Sequence, residues 1–282
     1  MIKGLLLHPQ TRQDIERFVQ SPKHALLITG GSGSGKMTVA VDAASEILSV
    51  DPTTLQDYPY FMTIQTTPVG IDQIRSITTF LRLRTTGSRT IRRVIIIENA
   101  NTMTTEAQNA LLKSLEEPPA DTLIILLADR AQSLLPTVTS RVTTVPIKTP
   151  SYDAIKEYFS EPESSLIVAH ALSDGKVGLL QALLSEDNDH PLIQKITEAK
   201  KLLQMTTYKK LIEVNTLGAN KDEARKLLSA LKQIATAALK QTDDPKHAQR
   251  WHRVLLQSHR TEILLDESVN TKLALTDLML NL

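Results

Sequence analysis

The chain has 282 residues, 32 Lys plus Arg against 31 Asp plus Glu, and no cysteine. That length sets a prior of about two domains and allows a core that needs no disulfide or metal staple. A net charge of +1 excludes a histone-like basic protein and an acidic disordered tail, and the lack of cysteine excludes a disulfide scaffold, a thiol nucleophile, an iron–sulfur cluster and a zinc site with Cys ligands.

The chain opens MIKGLLLHPQ, an apolar stretch too short for a secretory signal. The longest clean apolar run, residues 123–128, is far from the ~20 residues a membrane helix needs. A soluble, cytoplasmic protein is expected. Seven His are scattered without an HExxH pattern, so a zinc hydrolase has no support.

The first clear element is the branched apolar run Ala25–Thr29, which predicts a buried strand. It leads into GGSGSGKMT, residues 30–38, and then a helical pattern. Gly30, four residues, Gly35 and Lys36 fit the frame GxxxxGK, and strand–loop–helix is the context that frame needs. Gly30, Gly31, Gly33 and Gly35, with Ser32 and Ser34 between them, let the backbone fold round a phosphate with its N–H groups inward. Lys36 adds a point charge and the helix N-terminus adds its positive dipole end. ATP or ADP is the expected ligand of residues 30–38; a glycine/serine turn with a surface lysine is the plainer alternative. The position after Lys36 is Met37, where the frame wants a Ser or Thr hydroxyl on Mg²⁺. A thioether is a poor ligand for a hard cation. Thr38 comes one residue late, about 100° round the helix. Magnesium is expected to be held weakly if at all.

Residues 71–83 follow as an amphipathic helix. Six Arg (75, 82, 84, 89, 92 and 93) and no acid lie between Gln73 and Ile97. Phosphate contact is the sharp reading, with Arg82 and Arg84 as DNA-backbone candidates, and a solvated face is the plain one. No aromatic follows Phe80 in this stretch, so base stacking has no support. A second strand, 94–97, ends in Glu98–Asn99–Ala100–Asn101. In P-loop ATPases such a strand ends in an Asp that holds Mg²⁺. Glu98 is a weak candidate for that role. Asn99 cannot accept a proton, so it cannot be a general base. A polar strand end is the alternative. A helix at 104–115 and a third strand at 122–127 complete an alternation that signals a parallel sheet covered on both faces.

From about residue 151 the strand signal is lost. Helices are expected between polar breaks at 160–165, 173–178, 185–190 and 215–220. The clearest, 221–240, carries Leu227, Leu228, Leu231, Ile234, Ala235, Ala238 and Leu239 on one stripe, which reads as core. Two more helices fit after Pro245. Leu273, Leu275, Leu278, Leu280 and Leu282 crowd the last of them and must be buried, in their own domain or against a neighbour. The expected organisation is an α/β nucleotide-binding core at 1–148, a helical lid at 149–190 and an all-α bundle at 191–282.

One stretch is more specific. TTEAQNALLKSLEEPP (104–119), with IDQIR (71–75), LLPTVTSR (134–141) and VNTKLALTDLML (269–280), resembles the bacterial clamp-loader ATPase family of DNA polymerase III. The resemblance implies an AAA+ P-loop core, a lid and a C-terminal collar bundle. It implies partners of the gamma/tau and delta type, a sliding clamp and primed DNA. In that family an Arg after Ser reaches into the neighbouring subunit's ATP site; the matching position is Arg141, after Ser140 and before Val142, where the family has Cys. Relatives often carry a four-Cys zinc module, which a chain without cysteine lacks, so no zinc is expected. The γ-phosphate-sensing position, near residues 127–129, holds only Asp129, and the lid offers only Lys176 as a nearby cation. These departures favour a member that assists a neighbour's catalysis over a gamma/tau-type member that hydrolyses ATP itself. A P-loop phosphotransferase of another class is a third reading, without an acceptor pocket to support it.

Overall fold

The computed structural model describes residues 4–185, 191–267 and 269–282. The chain divides into two compact units, Met1–Ile155 and Lys156–Leu282.

The first unit begins with α1 (Pro9–Gln20), β1 (Ala25–Thr29) and α2 (Lys36–Leu48). Then come β2 (Phe61–Ile64), α3 (Ile71–Leu81), β3 (Arg93–Ile97) and α4 (Thr105–Glu116). β4 (Thr122–Ala128), the short α5 (Pro136–Thr139) and β5 (Thr143–Pro146) follow. The strands form one parallel sheet in the order β2-β3-β4-β1-β5. Every residue of β1, β3 and β4 is buried, because side chains alternate between two covered faces. Leu26 and Ile28 of β1 join Val94, Ile96, Leu123 and Ile125 beneath α1 and α2. Their neighbours Ala25 and Leu27 join Ile95, Ile97, Ile124 and Leu126 beneath α3, α4 and α5.

The strands expected at 94–97 and 122–127 each extend by one residue in the structure. β2 carried no comparable sequence signal: only the first and last of FMTI are buried, as suits an edge strand. The helix expected at 71–83 stops at Leu81.

The second unit is helical throughout its described residues. α6 (Tyr152–Tyr158) spans the boundary between the units, and α7 (Glu163–Ser173), α8 (Val177–Leu184) and α9 (Pro191–Gln204) follow. The last four are α10 (Thr207–Leu217), α11 (Lys221–Gln241), α12 (Pro245–Asp266) and α13 (Thr271–Asn281). α11 packs on α7, α9 and α12, and α10 packs on α13. Leu172 and Leu179 share one apolar cluster with Ile196, Leu227, Leu231, Leu275 and Leu278.

Three of the expected polar breaks are narrower than the sequence suggested. Residues 163–165 form the first turn of α7, Val177 and Gly178 open α8, and α10 continues through Asn215 to Leu217. In α7 and α10 the polar residues lie on solvated helix surface: Glu163, Ser164 and Ser165 are exposed, as are Asn215 and Thr216, while Val214 is in the core. The fourth break, 185–190, falls for all but Ser185 outside the described residues. The leucines of α13 divide: Leu275 and Leu278 are fully buried, whereas Leu273 and Leu280 are exposed. Among the described residues no helix is long and apolar enough to cross a membrane.

Candidate functional site: a phosphate-type loop and a distant arginine

The loop 30–35 continues β1 beyond its last residue. The Gly30 N–H donates to the Ala128 carbonyl at 3.2 Å and prolongs the β1–β4 pairing. The chain then turns back, with Ser34 N–H on the Gly31 carbonyl at 3.1 Å. Gly33 and Gly35 have φ of 81° and 87°, values that side-chain-bearing residues rarely adopt. Gly35 is the N-cap of α2, and its carbonyl accepts from Val39 N–H at 3.0 Å. Gly30 has no room for a side chain: a Cβ there would lie 2.7 Å from Ser34 Oγ. That hydroxyl is buried and has no hydrogen-bond partner. Gly31 and Ser32 are exposed on the outer side of the turn.

Lys36 folds back over its own loop. Its ammonium donates to the Gly30 carbonyl, to the Gly31 carbonyl at 3.3 Å and to Asp129 Oδ1 at 3.2 Å. Asp129 follows β4 directly, and Glu98 follows β3, so both carboxylates stand at the same sheet edge as the loop. In open parallel sheets this carboxyl edge is where ligands bind. Burial pushes the Glu98 carboxyl above its usual range, and the Lys36 charge partly offsets this. Asn99 donates to Thr67 Oγ1 at 3.2 Å. Met37 packs against the apolar cluster under α1 and α2, while Thr38 is exposed. The cradle therefore fits a phosphate in shape, but the residues present do not fit a magnesium–triphosphate complex. The position after Lys36 brings no hydroxyl, and the acid at the strand end is a half-buried Glu. Among the described residues no cluster of three or more His, Asp or Glu could hold a metal ion.

Arg141 lies elsewhere. It sits between α5 and β5, where its guanidinium donates to the Thr137 carbonyl at 2.9 Å and Ser140 Oγ at 3.2 Å. It also pairs with Glu116 at 2.8 Å. Gln108, buried in α4, accepts from Leu135 N–H at 2.7 Å and donates to the Met103 carbonyl, which fixes the turn leading into α5. Thr143 pairs with Leu26 in the sheet. Arg141 therefore enters at the amino end of β1, whereas the loop leaves from its carboxyl end. At ~3.3 Å per residue the two backbone positions are about 20 Å apart.

The six-arginine patch expected from sequence is smaller in the structure. Arg93 is buried and donates to the Phe80 and Leu83 carbonyls at 2.9 and 2.6 Å, beside Asp121 at 3.8 Å. Arg92 reaches Asp121 at 3.6 Å and the Gly87 carbonyl at 2.8 Å, and Arg75 pairs with Asp72. Those three are held by acids that lie outside the stretch that was read, Asp72 just before it and Asp121 beyond it. Arg82, Arg84 and Arg89 are exposed. The sequence reading also missed Glu116 as the partner of Arg141 and Asp129 as the partner of Lys36; neither contact has a local spacing that could reveal it.

The family described as "DNA polymerase III, delta subunit" matches residues 8–151. DNA polymerase III subunit delta' of Pseudomonas aeruginosa is 29% identical over 204 residues, 64% of this chain and 62% of that protein. The Bacillus subtilis protein of the same name is 27% identical over 179 residues, 59% of this chain and 54% of that protein. The matches thus span less than two thirds of the length of these curated relatives. A DNA polymerase III, gamma subunit-related protein from Thermotoga maritima superimposes with a TM-score of 0.58 at 21% identity, over 96% of this chain and 97% of that one. That likeness concerns the fold alone, a parallel α/β core followed by helices. On the match that covers the sheet, the loop and Arg141 together, the chain belongs to the DNA polymerase III, delta subunit family.

Proposed function

We propose that this chain is a clamp-loader subunit of the delta' type, which helps place a sliding clamp on primed DNA by lending Arg141 to a neighbouring ATPase subunit. The observation that carries this reading is the placement of Arg141. It stands about 20 Å along the sheet from its own loop, so it cannot serve that loop, yet it is partly exposed and available to another chain. A guanidinium offers a permanent charge and a fork of N–H donors, suited to stabilising charge that develops on a phosphoryl group in the neighbour's site.

The chain's own loop supports the same division of labour. Met37 is packed away, Asn99 is tied to Thr67, and Lys36 is engaged by Asp129. When a nucleotide binds, the loop amides and Lys36 would hold its phosphates; nothing in the donor set adds a firm metal site or a general base. The partners under this reading are gamma/tau- and delta-type subunits, the clamp and primed DNA. Its three parts are the core at 1–148, the lid at 149–190 and the collar at 191–282. Exposed Leu273 and Leu280 on α13 are the residues offered to neighbouring collar helices.

The test is ATP turnover by an assembly reconstituted with a competent ATPase subunit, the clamp-opening subunit, clamp and primed DNA. Arg141→Ala should lower single-turnover hydrolysis at the affected site by roughly a hundredfold or more, with assembly intact by size-exclusion chromatography. Arg141→Lys should recover little, because a point charge does not replace the planar fork. Unchanged single-turnover rates in Arg141→Ala would remove the arginine role and leave this chain a scaffold.

A further inference from the structure

The loop 30–35 keeps the shape of a phosphate cradle while its one cation is engaged. An ammonium has three protons to donate. Those of Lys36 go to the Gly30 carbonyl, the Gly31 carbonyl and Asp129 Oδ1. The lysine side chain is 16% exposed, so it is held within the site, while Asp129 is 53% exposed and faces the opening. Glu98 stands near enough for the Lys36 charge to act on it. The one cation is thus paired with Asp129 at the edge where a phosphate would arrive, with Glu98 at the end of the neighbouring strand.

We propose that Asp129 is an internal anion that occupies the place at Lys36 a phosphate would take, and that Asp129 rather than the glycine frame keeps this chain from binding nucleoside di- and triphosphates firmly. The inference rests on reading residues 30–36 as a phosphate cradle. An incoming phosphate must displace the carboxylate from Lys36. Asp129 is fixed to the end of β4, so even when displaced it remains a like charge beside the ligand. Magnesium offers little remedy, since Met37 brings no hydroxyl to the position after Lys36. The glycines have not lost their conformation: Gly33 and Gly35 retain the left-handed backbone that turns the loop.

The experiment is an equilibrium fluorescence titration of the full chain with N-methylanthraniloyl-ADP and N-methylanthraniloyl-ATP, in EDTA and in Mg²⁺. Asp129→Asn and Asp129→Ser should each bind about tenfold more tightly than the parent chain, the effect of removing one charge from a partly solvated site. The gain should appear in EDTA as well as in Mg²⁺. Lys36→Ala combined with Asp129→Asn should abolish it, because the gain acts through the freed lysine. Thermal melts by circular dichroism identify any variant that fails to fold, and the two replacements guard against one doing so. If the parent chain binds and neither Asp129 variant binds more tightly, Asp129 is not the obstacle, though the cradle stands. A gain that survives loss of Lys36 also overturns the proposal. If no variant binds at millimolar nucleotide, the cradle reading falls and takes this inference with it. The arginine role is read separately, from hydrolysis in the neighbour's site.

Discussion

At the scale of single residues, Asp121 and Arg93 show how one acid can reorganise a basic stretch. Asp121 accepts a hydrogen bond from Thr85 Oγ1 and faces Arg92 and Arg93. Burial alone would raise its pKa, but the Thr85 hydrogen bond and the two guanidiniums outweigh that and hold it below the usual carboxylate range. Arg93 stacks over Phe80 at 5.6 Å from the ring centre and closes the end of α3 by bonding the Phe80 and Leu83 carbonyls. Removing the acid leaves a buried guanidinium without its counter-charge, so Asp121→Ala should cost about 3 kcal/mol in chemical denaturation at pH 7. The sign with pH follows from a depressed folded-state pKa. The contribution is present above the unfolded value near 3.8 and is lost as pH falls through the folded one. The gap between parent and variant should therefore narrow only in strong acid. A gap that is already gone at pH 5 would show that charge is not what Asp121 contributes. The Glu116–Arg141 pair is different. Both side chains are over a third exposed, so Glu116→Gln should change stability by no more than about 0.5 kcal/mol.

These residues also mark the limit of what the sequence can disclose. The glycines, Lys36 and Met37 are legible because the loop is a local frame in which every spacing is short. Arg141 is legible by its place in a motif, not by chemistry. Asp129, Glu116 and Asp121 find their partners only when β4 and α4 are laid beside distant segments, and nothing in the linear spacing announces that.

At the scale of elements, periodicity was enough wherever burial is two-sided. β1, β3 and β4 are continuous apolar runs because both faces are covered. β2 has one open edge and a mixed pattern, and so it escapes notice. Helix ends in the second unit were obscured where polar turns lie on solvated helix faces. The start of α11 is clearer. Asn220 Oδ1 accepts from Asp222 N–H at 2.8 Å and approaches Glu223 N–H at 3.5 Å, satisfying donors that the helix itself leaves open. Asn220→Ala should lower the stability of the chain by about 1 kcal/mol, and Asn220→Asp should be close to neutral. Equal losses in both variants would show that the cap is not what Asn220 provides. α11 is the helix on which α7, α9 and α12 all pack, so fraying at its start is felt in thermal melts of the second unit.

At the scale of the whole molecule, a net charge of +1 says little about DNA, because the total conceals the distribution. Half of the arginines read as a patch are satisfied internally, which leaves Arg82, Arg84 and Arg89 exposed around the end of α3. If they contact the DNA backbone in the assembly, as the function proposed above would have it, their removal must appear in the salt dependence. Each phosphate contact contributes ~0.9 to the slope of log affinity against log salt. Changing Arg82 and Arg84 together to Ala should flatten that slope by about 2 for the reconstituted assembly on primed DNA, with little effect on sequence preference. An unchanged slope would assign these two residues to solvent.

A sheet whose strands all run one way has a front and a back. Here the loop lies at the front and Arg141 at the back. The chain cannot bring the two together within itself, so any contact between such a loop and such an arginine needs a second subunit. A contact that delivers Arg141 to another subunit's loop joins unlike surfaces, and where each chain gives its arginine to the next it is the heterologous kind that runs on from chain to chain with a fixed direction. The direction is written in the polarity of the strands, before any interface residue is considered.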